Sequence, residues 1–580
     1  MSGPGEDVPR FDRRLFDPSR PVSRIGDGAL GGKARGLLTA ARVLAARGAE
    51  LELPGLAIDL PALVVIATGV FDAFLDRNHL RAVLAEEPSD EVVSLAFRRA
   101  TLPAEWLGDL RAIAVECRRP LAVRSSSALE DALGRPFAGV YGTKMIPGNQ
   151  PGSDARFRSL TDAVKFVYAS TFFHEARAYR RAAGRAAKDE GMAVIAQEVV
   201  GLRRGERFYP DLSGVARSYN FYPAGPASPG EGVVQLALGL GKTIVDGGAC
   251  WSFSPAHPRS APPFGSVRDL VDSTQSEFWA VNVGPPPPYD PMAETEFLVR
   301  AGLAEAEADG ALRGAASTYD PRSDRLVPGT SRPGPRVLDF APILVQGQIP
   351  LVDALRRLLA VCADALGAPV EIEFAVCLPP EGRVRLGFLQ VRPLLVSEDA
   401  VEVSPEELEG ARAVVASTAA LGNGRQAVED VVFVEPALFE ARLTPAIAGE
   451  IESLNRSLVE AGRPYLLIGF GRWGSTDPWL GIPVRWDQIA GARAIVETTF
   501  PQMNPEPSQG SHFFHNLSSF QVLYFTVPHL SARAVDWDWL ERQEVVARTD
   551  HVRHVRAPGP LVLKVDGRTR RGVVLRPEGP

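Results

Sequence analysis

The sequence predicts an α/β protein with α+β parts, built from several units, and three observations support this class. The chain has 580 residues, which at ~100–200 residues per domain suggests three or four domains. Hydrophobic residues make up 45% of it and charged residues 23%, values typical of folded proteins that exclude wholesale disorder. Residues 51–150 alternate short strand patterns with helical patterns, and residues 401–580 form a second mixed pattern.

Charge and cysteine usage exclude several classes of function. The net charge is −7, so the chain lacks the overall positive charge that would indicate a nucleic-acid partner. The four cysteines form no C-x-x-C pair, which argues against a disulfide scaffold and a thiolate zinc site. The first residues are polar, and no apolar run approaches the ~18 residues of a membrane span. We therefore expect a cytoplasmic protein without nucleic-acid or membrane partners.

Lysine is rare in this chain, because only six of its 63 basic residues are lysines. Arginine has replaced lysine wherever it suffices, so a remaining lysine marks a place that needs a compact ammonium group. Three of the six, Lys33, Lys144 and Lys242, lie in glycine-bearing segments. These segments are the first place to look for a functional site.

The first glycine segment is GGKARG at residues 31–36, which opens a helical pattern after a loose tail at residues 1–20. Glycines allow close approach of the backbone, and a helix N-terminus attracts anions, to which Lys33 adds a point charge. The spacing does not fit the G-x-x-x-x-G-K-[ST] phosphate loop. A solvated lysine at a helix start is the alternative interpretation.

The segment LAVRSSSALED at residues 121–131 predicts an apolar strand that ends in Arg124 and three serines. An arginine beside hydroxyls and free amides suits a polyphosphate. In the alternative interpretation, Arg124 pairs with Glu130 or Asp131.

Further on, Gly239 and Gly241 precede Lys242, but the first glycine of a phosphate loop would fall at Leu236. A glycine-rich turn is therefore predicted there.

The segments EIEFAV and RLGFLQVRPL, joined by a turn, predict a hairpin at residues 371–392. Side chains alternate along a strand, so Glu371 and Glu373 share one face, and Gln390 and Arg392 share one face of the returning strand. If the register matches, these four groups converge. Paired carboxylates repel unless a cation separates them, and their oxygens suit Mg²⁺. The alternative is a solvent-facing strand with a cross-strand Glu–Arg pair.

Taken in order, GGK, AVRSS…ED…FAG, a strand of V-x-x-Q type, GLG…VxxG and EIEFAV…FLQVRP resemble the nucleotide-binding domain of pyruvate phosphate dikinase and phosphoenolpyruvate synthase. The resemblance covers about residues 20–397. It implies an ATP-grasp fold with subdomains at 21–215 and 216–400, followed by a C-terminal mixed α/β domain of unknown role at 401–580.

The resemblance also implies ATP and Mg²⁺ as cofactors and assigns residues to them. The implied catalytic residues are Lys33, Arg124 and Arg392. The implied nucleotide-binding residues are Lys33 and Arg124 on the phosphates, Gly139 on a closing loop, Gln197 by the adenine, and Gly239, Gly241 and Lys242. The implied metal ligands are Glu371, Glu373 and Gln390.

The phosphohistidine domain of that family is not expected here, since none of the eight histidines lies in a T-S-H context, and its pyruvate barrel does not fit in the remaining residues. We therefore predict an ATP/Mg-dependent phosphotransferase that transfers phosphate to an unidentified small-molecule acceptor or partner, possibilities that include a phosphocarrier protein. The alternative is a non-catalytic ATP-binding regulatory or scaffold protein.

The C-terminal domain has two motifs with open interpretations. Residues 465–481 contain G-x-G-x-x-G, but Asp477 and a proline follow where a dinucleotide fold needs a helix, so that fold is not expected. Either an anion loop using Arg472 or a tight turn anchored by Trp473 remains. His512 and His515 would share a helix face, as a metal pair, a phosphate acceptor or ordinary polar residues.

Overall fold

The computed structural model describes most of the chain, in segments separated by short gaps. The described residues are 8–13, 21–127, 130, 140–182, 191–220, 226–246, 248–260, 267, 270–271, 274–394, 401–475, 477, 479–500, 522–529, 535–567 and 569–577. Among them, no helix combines the length and the apolar character that crossing a membrane requires. Gly139, His512 and His515 lie outside the described residues.

Fourteen α-helices lie in the described segments. They are α1 Gly32–Leu51, α2 Thr68–Arg77, α3 Leu80–Leu84, α4 Asp90–Arg99, α5 Ala104–Glu116, α6 Ser153–Ser170, α7 His174–Ala182, α8 Lys242–Val245, α9 Leu303–Ala308, α10 Ala341–Leu344, α11 Leu351–Leu366, α12 Pro405–Glu409, α13 Thr444–Glu460 and α14 Trp537–Glu541. The helix predicted after residue 31 is α1. It begins where the two glycines allow the chain to turn, and its buried apolar side chains are those of Ala34, Leu37, Ala40, Val43 and Leu51.

The first sheet forms the wall of the N-terminal part. Its strands, in spatial order, are β1 Val22–Ile25, β3 Leu63–Ile66, β6 Met192–Glu198, β4 Leu121–Ser127 and β5 Thr143–Ile146. β1 and β3 are parallel, and the other neighbours are antiparallel. Every residue of β6 is buried, as expected for an apolar strand covered on both faces.

The second sheet contains the predicted hairpin. Its strands, in order, are β11 Trp251–Phe253, β10 Val233–Ala237, β9 Leu212–Arg217, β17 Val370–Cys377, β18 Val384–Pro393 and β2 Leu56–Asp59. The predicted register is confirmed, because Glu371 lies opposite Arg392 and Glu373 opposite Gln390. The division predicted between residues 215 and 216 falls inside β9, so the two parts share this sheet.

Two smaller sheets complete the N-terminal part. The third sheet has the order β13 Leu298–Gly302, β12 Glu277–Asn282, β8 Arg207–Tyr209 and β7 Leu202–Arg204, and the fourth has β15 Arg325–Pro328, β14 Ala316–Asp320 and β16 Arg336–Leu338. The third sheet lies next to the glycine turn that follows β10, because Leu240 N–H donates to Trp279 O at 2.9 Å.

The C-terminal part is built on one large mixed sheet. Its strands, in order, are β19 Ala413–Ser417, β29 Arg571–Leu575, β28 Val552–Asp566, β21 Gly424–Val434, β22 Tyr465–Phe470, β25 Ala492–Thr498, β26 Leu523–Val527 and β20 Ala419–Leu421, with β27 Glu544–Arg548 paired to β28. The neighbours from β21 to β26 are parallel. The predicted α/β class is therefore confirmed.

The glycine motif after β22 forms a turn, without a helix in its described residues. The chain continues into the short strand β23 Arg472–Trp473, which pairs with β24 Gly481–Ile482. The Trp473 indole is buried and donates to Val496 O at 3.1 Å. A Cβ on Gly469 would lie 2.5 Å from that indole. These contacts favour the turn anchored by Trp473, while anion binding by Arg472 stays a prediction.

One hydrophobic cluster joins the N-terminal and C-terminal parts. It contains Phe71 and Tyr168, from helices beside the first sheet, together with Ile447 and Tyr465 of the C-terminal part, all of them buried. The two parts therefore share a core.

Candidate functional site

The start of helix α1 is docked on the end of strand β4. Gly31 has a φ of 80°, and a Cβ there would lie 1.8 Å from Ser126 O, so only glycine fits. The Ser126 hydroxyl accepts a hydrogen bond from Ala34 N–H at 3.0 Å and donates to Leu30 O at 2.8 Å. This docking brings the Lys33 side chain next to Ser125.

Lys33 is buried and forms an ion pair that the sequence analysis did not predict. Its Nζ lies 2.7 Å from Glu130 Oε1 and 3.2 Å from Ser125 Oγ. Glu130 is fully buried and also accepts from the Ser125 hydroxyl and from Ser127 N–H, both at 2.9 Å. The interpretation of Lys33 as a solvated lysine is therefore wrong. The one sequence signal for Glu130 was its place in the segment LAVRSSSALED, beside Ser125.

Arg124 reaches from the first sheet to the hairpin of the second. Its Nη2 lies 2.7 Å from Gln390 Oε1 and 3.2 Å from Glu373 Oε2, and its Nη1 lies 3.5 Å from Leu389 O. The alternative in which Arg124 pairs with Glu130 is wrong, because Glu130 pairs with Lys33. Asp131, the other partner in that alternative, lies outside the described residues. Arg124 of the first sheet thus meets two predicted site residues of the second sheet, Glu373 and Gln390, which lie 249 and 266 positions away in the chain.

Glu371 is held between two guanidinium groups. Its carboxylate accepts from Arg217 Nε at 2.6 Å and from Arg392 Nε at 2.8 Å, and all three residues are buried. Arg217 Nη1 also donates to Gln235 Oε1 at 3.1 Å. The cross-strand Glu–Arg pair therefore exists, but the interpretation that it faces solvent is wrong. The contact of Arg217 was not predicted from the sequence.

The oxygens of Glu373 and Gln390 converge on one point, because both lie within 3.2 Å of the same Arg124 nitrogen. A carboxylate and a carboxamide oxygen are suitable Mg²⁺ ligands when phosphates supply others. Glu371, the third predicted metal ligand, faces arginines in this structure. No group of three or more His, Cys, Asp or Glu in the described segments could hold a metal ion.

Gln197 is buried on β6, next to Leu63 and Ala122 of the neighbouring strands. Its Nε2 atom has no hydrogen-bond acceptor among the described residues. An unsatisfied buried donor costs roughly 1–3 kcal/mol, so this amide group is suited to a ligand that supplies an acceptor.

The glycine turn after β10 has the predicted form. Gly239 has a φ of 78°, and a Cβ there would lie 2.7 Å from Trp279 O. Gly239 O accepts a hydrogen bond from Ser213 Oγ at 2.7 Å, and Gly241 precedes the four-residue helix α8. The turn therefore packs its backbone closely against β9 and β12.

Lys242, at the start of α8, faces two carboxylates. Its Nζ lies 3.2 Å from Asp246 Oδ2 and 4.0 Å from Glu294 Oε1. Burial raises the pKa of Glu294, although Lys242 and, more weakly, Lys33 act in the opposite direction. Neither carboxylate was predicted from the sequence.

Lys144, the third lysine of the glycine-bearing segments, is fully buried in β5. Its Nζ lies 2.6 Å from Glu296 Oε2, 2.8 Å from Pro291 O and Ala293 O, and 3.2 Å from Asp290 O. Burial lowers the pKa of Lys144, against the effect of Glu296. This ammonium group ties the segment before β13 to the first sheet.

The mixed sheets, and the contact of Arg124 that joins the first two of them, define an α/β protein with a domain of the ATP-grasp type. Residues 28–413 match the family model described as pyruvate phosphate dikinase, AMP/ATP-binding domain. The match covers more than half of the chain, so the protein belongs to this family. The chain therefore carries an AMP/ATP-binding domain, as the resemblance implied.

Proposed function

We propose that this protein is an ATP- and Mg²⁺-dependent phosphotransferase that moves a phosphoryl group from ATP to an unidentified small molecule or partner protein. The observation that carries the proposal is the contact of Arg124, on the first sheet, with Glu373 and Gln390 on the second. Phosphoryl transfer is catalysed mainly by positioning and charge neutralisation, and this contact collects the charged groups that such catalysis needs.

In this proposal, Lys33, Arg124 and Arg392 neutralise the phosphate charge. The backbone turn at Gly239 and Gly241 lies beside the nucleoside, with Lys242 at its end. Gln197 donates from Nε2 to the base, which would satisfy the buried amide group. Gly139, outside the described residues, stays a predicted member of the phosphate loop.

Glu373 and Gln390 are the residues that we assign to Mg²⁺, which, when bound, would offset the charge of the phosphates. The convergence of their oxygens supports this assignment. Glu373 faces one partly exposed arginine, Arg124, whereas Glu371 is enclosed by two buried arginines, Arg217 and Arg392. We therefore assign Glu371 to orienting Arg392, with which it shares a buried ion pair.

The test is incubation with β- and γ-labelled ATP, followed by product analysis. ADP as the product would identify a simple kinase, and AMP with phosphate would identify dikinase-like chemistry. ATP that binds but is not consumed, in the presence of Mg²⁺ and candidate acceptors, would contradict the proposal and favour a regulatory ATP-binding protein.

A further inference from the structure

The Glu130 carboxylate occupies a small cradle of hydrogen-bond donors. The ammonium of Lys33, the hydroxyl of Ser125 and the N–H of Ser127 all point at it, at 2.7 to 2.9 Å. A lysine, a hydroxyl and a backbone amide are also the donors that bind phosphate oxygens in proteins. Glu130 therefore occupies a place that a phosphoryl group could take.

Apart from Glu130 itself, the groups that form this cradle carry full or partial positive charge. Lys33 lies in the first turn of α1, a helix of 20 residues, and the N-terminus of a helix carries a partial positive charge. An ammonium group has three N–H donors, and the acceptors of Lys33 among the described residues are Glu130 and Ser125. Removing the Glu130 charge would leave a buried cation with capacity to bind another anion.

We infer that Glu130 is an internal anion that competes with the phosphates of ATP for Lys33 and thereby weakens nucleotide binding. This inference rests on the proposed function, which assigns Lys33 to the phosphates. A protein whose binding-competent state is only partly populated has a proportionally weaker apparent affinity. Here the competent state is the one in which Lys33 has exchanged Glu130 for a phosphate oxygen.

A second buried lysine provides the matched control. Lys144 pairs with Glu296 at 2.6 Å, close to the 2.7 Å of the Lys33 pair. However, three backbone carbonyls also hold Lys144. Neutralising Glu296 would therefore leave the Lys144 ammonium with three carbonyl acceptors. It would not free Lys33, the lysine that we assign to the phosphates.

The experiment compares Glu130→Gln with the wild type and with Glu296→Gln. Calorimetric titrations use ATP in EDTA, ATP with Mg²⁺, and adenosine, which carries no phosphate. We expect Glu130→Gln to bind both forms of ATP on the order of tenfold more tightly than wild type, with adenosine affinity unchanged. Glu296→Gln should bind ATP like wild type. A purely structural Glu130 would give unchanged or weaker binding.

Equal or weaker ATP binding by folded Glu130→Gln would overturn the inference. If Glu130→Gln does not fold, Glu130→Asp takes its place, because its shorter side chain reaches Lys33 less well. Its ATP affinity must then rise by a smaller factor, and an ATP affinity equal to that of wild type would likewise overturn the inference. The gain must also vanish when Lys33→Met is added. Wild-type protein that binds no ATP would instead remove the proposed function, so the two failures are distinguishable.

Discussion

Lys33 and Lys144 are two buried lysines beside the same sheet, each paired with a glutamate at nearly the same distance. They differ in what surrounds the ammonium group. Lys144 has four acceptors for its three protons, three of which are backbone carbonyls. Lys33 has a carboxylate and a hydroxyl. A lysine saturated by backbone holds the fold together, whereas one held by side chains can exchange its partner.

The largest effect that would test this comparison is expected for Lys144→Met. It would leave the Glu296 carboxylate, whose side chain is 4% exposed, without its cation and remove a donor from three carbonyls, so we expect a loss of about 3–5 kcal/mol in the free energy of unfolding. Urea denaturation measures it. ATP affinity of the protein that remains folded should be unchanged, and a loss below about 1 kcal/mol would contradict a structural Lys144.

A smaller loss of stability, with a larger effect on binding, is expected for Lys33→Met. Glu130 would keep the Ser125 hydroxyl and the Ser127 amide as donors, so we expect a loss of about 2 kcal/mol. ATP affinity should fall, because a phosphate contact is lost. Calorimetry with ATP and adenosine separates the two effects. Unchanged ATP affinity in the folded variant would show that Lys33 resembles Lys144 after all.

Glu373→Gln should lower the affinity for Mg²⁺ by a factor on the order of 10–100. Most of the Mg²⁺ dependence of nucleotide binding should therefore be lost. The reason is that the amide group lacks the negative charge a divalent cation prefers. The measurement is ATP affinity against Mg²⁺ concentration. Glu371→Gln is the control, since it weakens two buried arginine contacts and should lower stability while leaving the Mg²⁺ response in place. An identical Mg²⁺ response in Glu373→Gln and wild type would exclude the assignment.

The smallest effect concerns a carboxylate in the C-terminal part that is held by cations. Burial alone would raise the pKa of Asp430, but hydrogen bonds from His554 and Arg463 outweigh it and lower the pKa. A lowered carboxyl pKa stabilises the fold above the unfolded pKa of ~3.9, and the contribution is lost as pH falls through the folded value.

The expected result is a difference in unfolding free energy between wild type and Asp430→Asn that is constant above about pH 5 and shrinks below about pH 4. Denaturant titrations from acid to neutral pH would measure it. A difference that does not change with pH would show that the Asp430 charge contributes nothing to stability.

The features that could be predicted from the sequence are those fixed by local spacing. The alternation of Glu371, Glu373, Gln390 and Arg392 placed four groups on one face of a hairpin, and the register confirms it. The scarcity of lysine drew attention to Lys33 and Lys144, and both are buried and paired with a glutamate. It could not separate Lys33 from Lys144, because the difference lies in acceptors from other segments.

Contacts between distant segments could not be predicted. Arg217 reaches Glu371 from 154 positions away, and Arg124 reaches Glu373 from 249 positions away. Periodicity reports which face of a strand is buried but not which strand lies beside it. For the same reason the sequence does not show that β9, which contains residue 215, lies between β10 and β17.

The shared hydrophobic cluster has a practical consequence for dissecting the molecule. The family match ends at residue 413, but buried side chains such as Phe71 and Tyr168 belong to the same cluster as Ile447 and Tyr465 beyond it. A fragment cut at residue 413 would expose apolar surface to water, and such patches promote aggregation. The nucleotide-binding domain is therefore best studied in the 580-residue chain, with single substitutions in place of truncations.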